Sequence, residues 1–240
     1  MSQRINEQSE FYNEWFSNFR YANQLQLERA NCILQALHSL GLVEPKIIDL
    51  GCGAGWLCNI LGTFGPTLGV DLSDHAIEVA RHRYPVASFE AVDIFSWDHP
   101  REAFDVVVSQ EVIEHVEDQS RYIEIAHSLL RPGGYLILTT PNGRTMMAMP
   151  ADSRKLWTNQ PIENWLTLEE LRELLSRKFT PVRSSTIVMG MGSTGSYRLM
   201  NSERVRKMML RMKWNEPFKR IHQKLGYGLH LVAVARKTES

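Results

Sequence analysis

The segment Ile47-Ile48-Asp49-Leu50-Gly51-Cys52-Gly53-Ala54-Gly55-Trp56 constrains the fold more than any other part of the chain. It reads as a short buried strand, a turn with three alternate glycines, and a helix that continues from Trp56 to Leu61 with helical spacing of apolar residues. Glycine is needed where φ is unusual or where backbone must touch a ligand, because no Cβ is present to collide. The helix start then offers free N–H groups to the turn. A dinucleotide fingerprint requires glycine at the third place of G-x-G-x-x-G, and here that place is Trp56, with the extra glycine one residue earlier at Gly55. No Lys-Ser or Lys-Thr follows, which argues against a triphosphate loop. Asp49 at the strand end would repel a phosphate and attract a cation. The turn therefore suits a neutral or cationic nucleoside. The competing reading is a tight strand-to-helix turn with no ligand.

Two further strands end in acids. Thr67–Leu72 is a short apolar strand carrying Asp71, twenty residues past Gly51, where a Rossmann-like sheet places the carboxylate that accepts both ribose hydroxyls. Ser73 or Asp74 can cap the helix that follows, Ala76 to Arg83. Ala87–Ile94 is a third strand, ending at Asp93. Phe104–Ser109 is apolar enough to be central, and a helix from about Arg121 to Leu130 stops at Pro132-Gly133-Gly134 before a fifth strand from Tyr135. Strands near Val182–Met189 and His230–Ala235 close the sheet. Thr167 and Glu170 form a capping box on the amphipathic helix between.

The run D-L-G-C-G-A-G from Asp49 resembles the first motif of the class I S-adenosylmethionine-dependent methyltransferases. The segment D-V-V-V-S from Asp105, E-V-I-E-H-V from Glu111, and L-R-P-G-G-Y-L-I-L-T-T-P-N from Leu130 resemble the quinone O-methyltransferases of that class. The resemblance covers roughly residues 40–145. It implies an α/β fold: a Rossmann-like seven-stranded, mostly parallel sheet with helices on both faces, an N-terminal helical cap and a C-terminal helical insertion. It implies S-adenosylmethionine as cofactor, met by Asp49, Gly51, Gly53 and Gly55 at the turn and by Asp71 and Leu72 at the ribose. Asp93 and Ile94 match the family's adenine contacts, Gln110 its contact to the methionine end, and Arg29 the arginine that meets the cofactor carboxylate. Tyr12 and Tyr21 match the family's cap tyrosine, and Trp165 joins them as a substrate contact.

The expected organisation is one domain over residues 1–240, with a cap at 1–40, a cofactor core at 41–145 and a substrate-side half at 146–240. An aromatic stripe, Phe11, Tyr12, Trp15, Phe16 and Phe19, marks the cap as a docked helix or a lid. Residues 190–228 form a basic insertion led by Arg204, Arg206, Lys207 and Arg211, for which peripheral membrane contact through 204–224 is one reading. Oligomeric state stays open. The chain has formal net charge zero, which argues against a protein that coats nucleic acid. Three cysteines without metal spacing fit a reducing compartment, and the polar start carries no signal-peptide pattern, so a cytoplasmic location is expected.

The expected reaction is methyl transfer to a small-molecule acceptor, at an oxygen nucleophile, with His115 as base because its ordinary pKa lies near neutrality. Glu111 joins it as a catalytic candidate: Glu111, Glu114 and His115 fall at i, i+3 and i+4, one helical face. E-V-I-E-H also resembles the metal-binding segment of small-RNA terminal 2′-O-methyltransferases, but those add a downstream histidine and this chain has none between His127 and His222. No metal is expected. A metal-dependent RNA methyltransferase and a non-catalytic cofactor-binding regulator are the alternatives.

Overall fold

The structure, a computed structural model, describes residues 3–17, 22–155, 160–189, 202–212, 214, 217, 221, 223 and 225–238. Helices α1 (Gln3–Ser17) and α2 (Gln24–Ser39) precede strand β1 (Ile47–Leu50) and helix α3 (Trp56–Leu61). There follow β2 (Thr67–Asp71), α4 (Asp74–Arg83), β3 (Ser88–Ala91), β4 (Phe104–Gln110), a 3₁₀ turn (Ile113–His115), α5 (Gln119–Leu129) and β5 (Leu130–Pro141). The second half holds α6 (Gly143–Ala148), α7 (Ala151–Lys155), α8 (Leu168–Ser176), β6 (Phe179–Met189), α9 (Glu203–Arg211) and β7 (Gly228–Lys237).

The strands form one seven-stranded sheet in the order β3-β2-β1-β4-β5-β7-β6. The first five run parallel, and β7 is antiparallel to both β5 and β6. Successive strand residues face opposite sides. Ile48, Leu50, Val107 and Leu136 therefore meet α5 and α8, while Ile47, Val106, Val108 and Ile137 meet α2 and α3. Helices cover both faces, as the repeating strand–helix pattern requires of a parallel sheet. Among the described residues no helix is long and apolar enough to cross a membrane.

Several expected boundaries move. The Pro-Gly-Gly stop lies inside β5 and not ahead of it: Leu130 already pairs with Phe104, and the register slips before Val106 meets Tyr135. β3 ends at Ala91, so Asp93 stands in the turn beyond the strand and not on its last residue. α2 buries Ala30, Ile33 and Leu37 against the sheet, while Leu25, Gln26 and Arg29 near its start join α1 beside the site. Ser73 caps α4, accepting the Ala76 N–H at 3.0 Å. Of the basic insertion, residues 190–201 and much of 213–224 lie outside the described residues; α9 is its one described helix.

The glycine turn depends on left-handed backbone. Gly51 has φ 71°, and a Cβ there would lie 2.4 Å from Val112 Cγ2. Gly51→Ala is expected to destabilise the protein by at least about 1–2 kcal/mol, the cost of forcing a side chain into that conformation. A thermal midpoint equal to wild type would contradict this.

Candidate functional site

Between β1 and β4 the strand order reverses, so the loops after these strands leave in opposite directions and open a crevice at the carboxyl ends of the sheet. A cavity of about 660 Å³ occupies that crevice. Asp49, Gly51, Gly53, Asp71, Leu72, Asp93, Ile94 and Gln110 all line it, brought together from four consecutive strand ends. Gly55 does not line it; with φ 79° it serves as the N-cap of α3, and a Cβ there would strike Phe89 and Ala80.

At this end the carboxylates are held by backbone. Asp71 Oδ2 accepts the Gly53 N–H at 2.8 Å and Oδ1 accepts the Ser73 N–H at 2.9 Å. Burial pushes the Asp71 carboxyl up, and those N–H bonds work against the shift. Each oxygen keeps a further lone pair for a donor from outside the protein. Asp93 accepts the Phe95 N–H and the Ser96 hydroxyl, both at 3.0 Å, in a closed turn. Asp49 is fully interior: Cys58 Sγ donates to its Oδ2 at 3.2 Å, and burial pushes its pKa up to about 7. Gln110 donates from Nε2 to the Gln26 carbonyl at 3.3 Å.

The other end is walled by α1 and by the segment before α8. Phe16 lies on the glycine turn, where a Cβ on Gly53 would meet its ring at 2.7 Å. The Tyr12 hydroxyl donates to Gln160 Oε1 at 2.7 Å, Gln8 Nε2 donates to the His115 carbonyl at 2.9 Å, and Asn13 Oδ1 accepts the Ser73 hydroxyl at 2.6 Å. These three bonds fix α1 across the cavity. Trp165 Nε1 donates to Glu163 Oε2 at 2.8 Å, and both residues line the cavity. Tyr21 lies outside the described residues.

His115 Nδ1 sits 2.9 Å from the Ile162 carbonyl. A carbonyl can only accept, so Nδ1 carries the hydrogen and Nε2 presents a lone pair. Burial lowers the His115 pKa below its ordinary value, keeping that lone pair free near neutrality. Nε2 is 3.5 Å from Glu114 Oε1. The Thr140 hydroxyl donates to the other oxygen of Glu114 at 2.9 Å. Burial, with the charge of Glu111 adding to it, pushes Glu114 well above the usual carboxylate range.

Glu111 departs from expectation. It does not share a helical face with Glu114 and His115, because the chain is not helical there: Glu111 has φ 58° and the 3₁₀ turn starts only at Ile113. The left-handed kink, rare for a residue with a Cβ, turns its side chain toward α2 and β7. Glu111 Oε2 lies 2.9 Å from His230 Nδ1 and Oε1 lies 3.6 Å from Arg29 Nε, while Arg29 Nη1 is 3.2 Å from His230 Nε2. Thr139 also donates to Glu111 at 3.0 Å. Burial alone would raise the Glu111 pKa, but Arg29 and His230 outweigh it and bring it down to about 2. Among the described residues no three His, Cys, Asp or Glu side chains converge as a metal site.

Among the described residues, three buried carboxylate oxygens, Asp49 Oδ1, Glu114 Oε1 and Glu163 Oε1, lack a hydrogen-bond partner, while Arg29 Nε and His230 Nδ1 face only Glu111. All three oxygens belong to residues that line this one cavity. Unmet polar atoms in a protein interior are costly, and their confinement to a single cavity fits a ligand that supplies the missing partners. Sequence reasoning missed His230. Its signal was a lone histidine inside the apolar run Leu229–Val234.

A family described as "Methyltransferase domain" matches residues 21–178. Among curated proteins, the chain is 36% identical over 108 residues to the ubiquinone biosynthesis O-methyltransferase of Thiobacillus denitrificans, covering 42% of this chain and 46% of that one. It is 36% identical over 110 residues to the mitochondrial ubiquinone biosynthesis O-methyltransferase of Mus musculus, covering 40% of this chain and 29% of that one. The matched stretch thus spans less than half the length of either relative. Among solved structures, an S-adenosylmethionine-dependent methyltransferase of Mesorhizobium loti superposes with TM-score 0.59 at 22% identity, over 85% of this chain and 96% of that one. The N-methyltransferase NodS of Bradyrhizobium japonicum, in complex with S-adenosyl-L-homocysteine, superposes with TM-score 0.61 at 19% identity, over 98% and 97%. At these identities the likeness speaks for the fold.

Proposed function

Because the chain belongs to the methyltransferase-domain family, with S-adenosylmethionine as its methyl donor, we propose that it transfers the donor's methyl group to an oxygen of a small-molecule acceptor. The observation that carries this reading is the cavity at the strand-order reversal, where the buried carboxylate oxygens without partners gather. The cofactor supplies an electrophilic methyl group on a sulfonium. The protein contributes alignment, exclusion of water and a base.

Residues at the sheet end hold the donor. Asp71 has free lone pairs for the ribose hydroxyls, with Leu72 beside it, and Asp93 and Ile94 flank the base. Gly51 and Gly53 let the backbone approach. Asp49, buried with an unpartnered Oδ1, favours positive charge nearby and would be unfavourable beside a phosphate. Arg29 is the cation for the donor's carboxylate, oriented by Glu111 and His230. Glu111 acts there as a positioning residue and not as the base.

The acceptor lies under α1, against Tyr12 and Trp165. His115 takes the proton from its hydroxyl, since Nε2 is unprotonated and inside the cavity wall. Oxygen as the nucleophile is supported by the curated relatives named above as O-methyltransferases, and it matches a base poised near neutral pH. The cavity lining is rich in acids, which disfavours a nucleic-acid acceptor.

The direct test is release of S-adenosylhomocysteine from S-adenosylmethionine with a panel of phenols, catechols and other alcohols; no acceptor-dependent release from any of them would count against the reading. Asp71→Ala is expected to weaken S-adenosylhomocysteine binding by roughly 1.5–3 kcal/mol, the worth of charge-assisted hydrogen bonds. That is about ten- to a hundredfold in affinity by calorimetry. Wild-type affinity would remove Asp71 from the site.

A further inference from the structure

We propose that the acceptor carries a protonated amino group, held between the Glu114 and Glu163 carboxylates against the Tyr12 and Trp165 rings. This rests on the methyltransferase reading and names the acceptor's class. Both carboxylates line the acceptor end of the cavity. Each has one oxygen met by a neutral donor, Thr140 for Glu114 and Trp165 for Glu163. Each leaves its Oε1 buried without a hydrogen bond. Glu114 is only 1% exposed, so water does not serve that oxygen from bulk.

Among the described residues none brings a cation to either oxygen. Among the described residues lining the cavity, Arg29 is the one lysine or arginine, and it is engaged by Glu111 and His230. His115 lies 3.5 Å from Glu114 Oε1, but its Nδ1 hydrogen is committed to Ile162 and its Nε2 offers a lone pair. Burial and the charge of Glu111 raise the pKa of Glu114, and the charge of Glu163 adds to them. An anionic acceptor would add a third negative charge to this group. A neutral acceptor would leave both carboxylates to be discharged by protonation. An ammonium brings positive charge and three N–H donors, which is what oxygens without a donor lack. Tyr12 and Trp165 line the same cavity, and an aromatic ring attracts a cation placed over its face.

Three phenols that differ only in the tail test this: tyramine (ammonium), tyrosol (hydroxyl) and 4-hydroxyphenylacetate (carboxylate). Binding of S-adenosylhomocysteine is measured first; its absence would mean that the methyltransferase reading has failed, and the acceptor class with it. With that cofactor product saturating, titration calorimetry should show tyramine binding at least tenfold tighter than tyrosol, and 4-hydroxyphenylacetate weakest. Glu163→Gln should cut the tyramine-over-tyrosol ratio several-fold while S-adenosylhomocysteine affinity stays within twofold. Glu163 is half-buried, so this variant is the one expected to fold; Glu114→Gln is a second arm. Tyrosol or 4-hydroxyphenylacetate binding as well as tyramine, or no binding by any of the three, would overturn the proposal while leaving methyl transfer standing.

Discussion

Replacing His115 by Ala is expected to lower turnover by roughly 10²–10⁴-fold, the usual worth of a positioned general base, while S-adenosylhomocysteine binds as before. The expectation follows from the geometry of the ring. Nδ1 is pinned by the Ile162 carbonyl, so the basic nitrogen is the one on the opposite side of the imidazole. Burial lowers the pKa of His115. The base is active when deprotonated, so the acid limb of the kcat/KM profile should have its midpoint below the ordinary histidine value of about 6.5. His115→Gln should keep the fold but lose that limb. A wild-type rate in His115→Ala, or an acid limb unchanged in His115→Gln, would assign the proton transfer to another group.

Glu111→Ala is expected to destabilise the protein by roughly 3–5 kcal/mol, because it leaves the Arg29 guanidinium buried without its counter-charge and His230 Nδ1 without its acceptor. Part of this is offset by relief of the left-handed backbone at φ 58° only in Glu111→Gly, which should therefore be the milder of the two variants. The same ion group sets a pH dependence. The Glu111 carboxyl is depressed in the folded protein to about 2 against an ordinary value near 4.5. Its contribution is present in full above that ordinary value and is lost as pH falls from about 4.5 toward 2. Chemical denaturation of wild type and Glu111→Ala at pH 7 and pH 3 should show the difference between them shrinking at the lower pH. A difference independent of pH would mean that the carboxylate charge is not what Arg29 and His230 depend on.

What could be read from the linear chain was what short stretches carry. Asp49, Asp71 and the glycine turn are each fixed by a strand and the residues directly after it, and local pattern suffices for them. The group under α1 is different. It draws on Tyr12, on the turn after β4, and on the irregular stretch from Gln160 to Trp165, which no periodicity places in space. His230 enters from β7, whose insertion between β5 and β6 depends on the whole sheet having formed. Glu111 departs for a specific reason: the i, i+3, i+4 spacing presumes a helix, and the backbone at Glu111 breaks it. A positive φ at a glutamate has no signature in sequence, because it is held by partners on α2 and β7 and not by its own preference.

The bonds that fix α1 reach both ends of the cavity. Asn13 is tied to the residue that caps α4 beside the ribose-side carboxylate, and Phe16 lies on the glycine turn. On the same helix, Gln8 and Tyr12 are tied to the His115 carbonyl and to Gln160. One helix thus braces both ends of the cavity, so a displacement of α1 that broke its contact at one end would break those at the other as well.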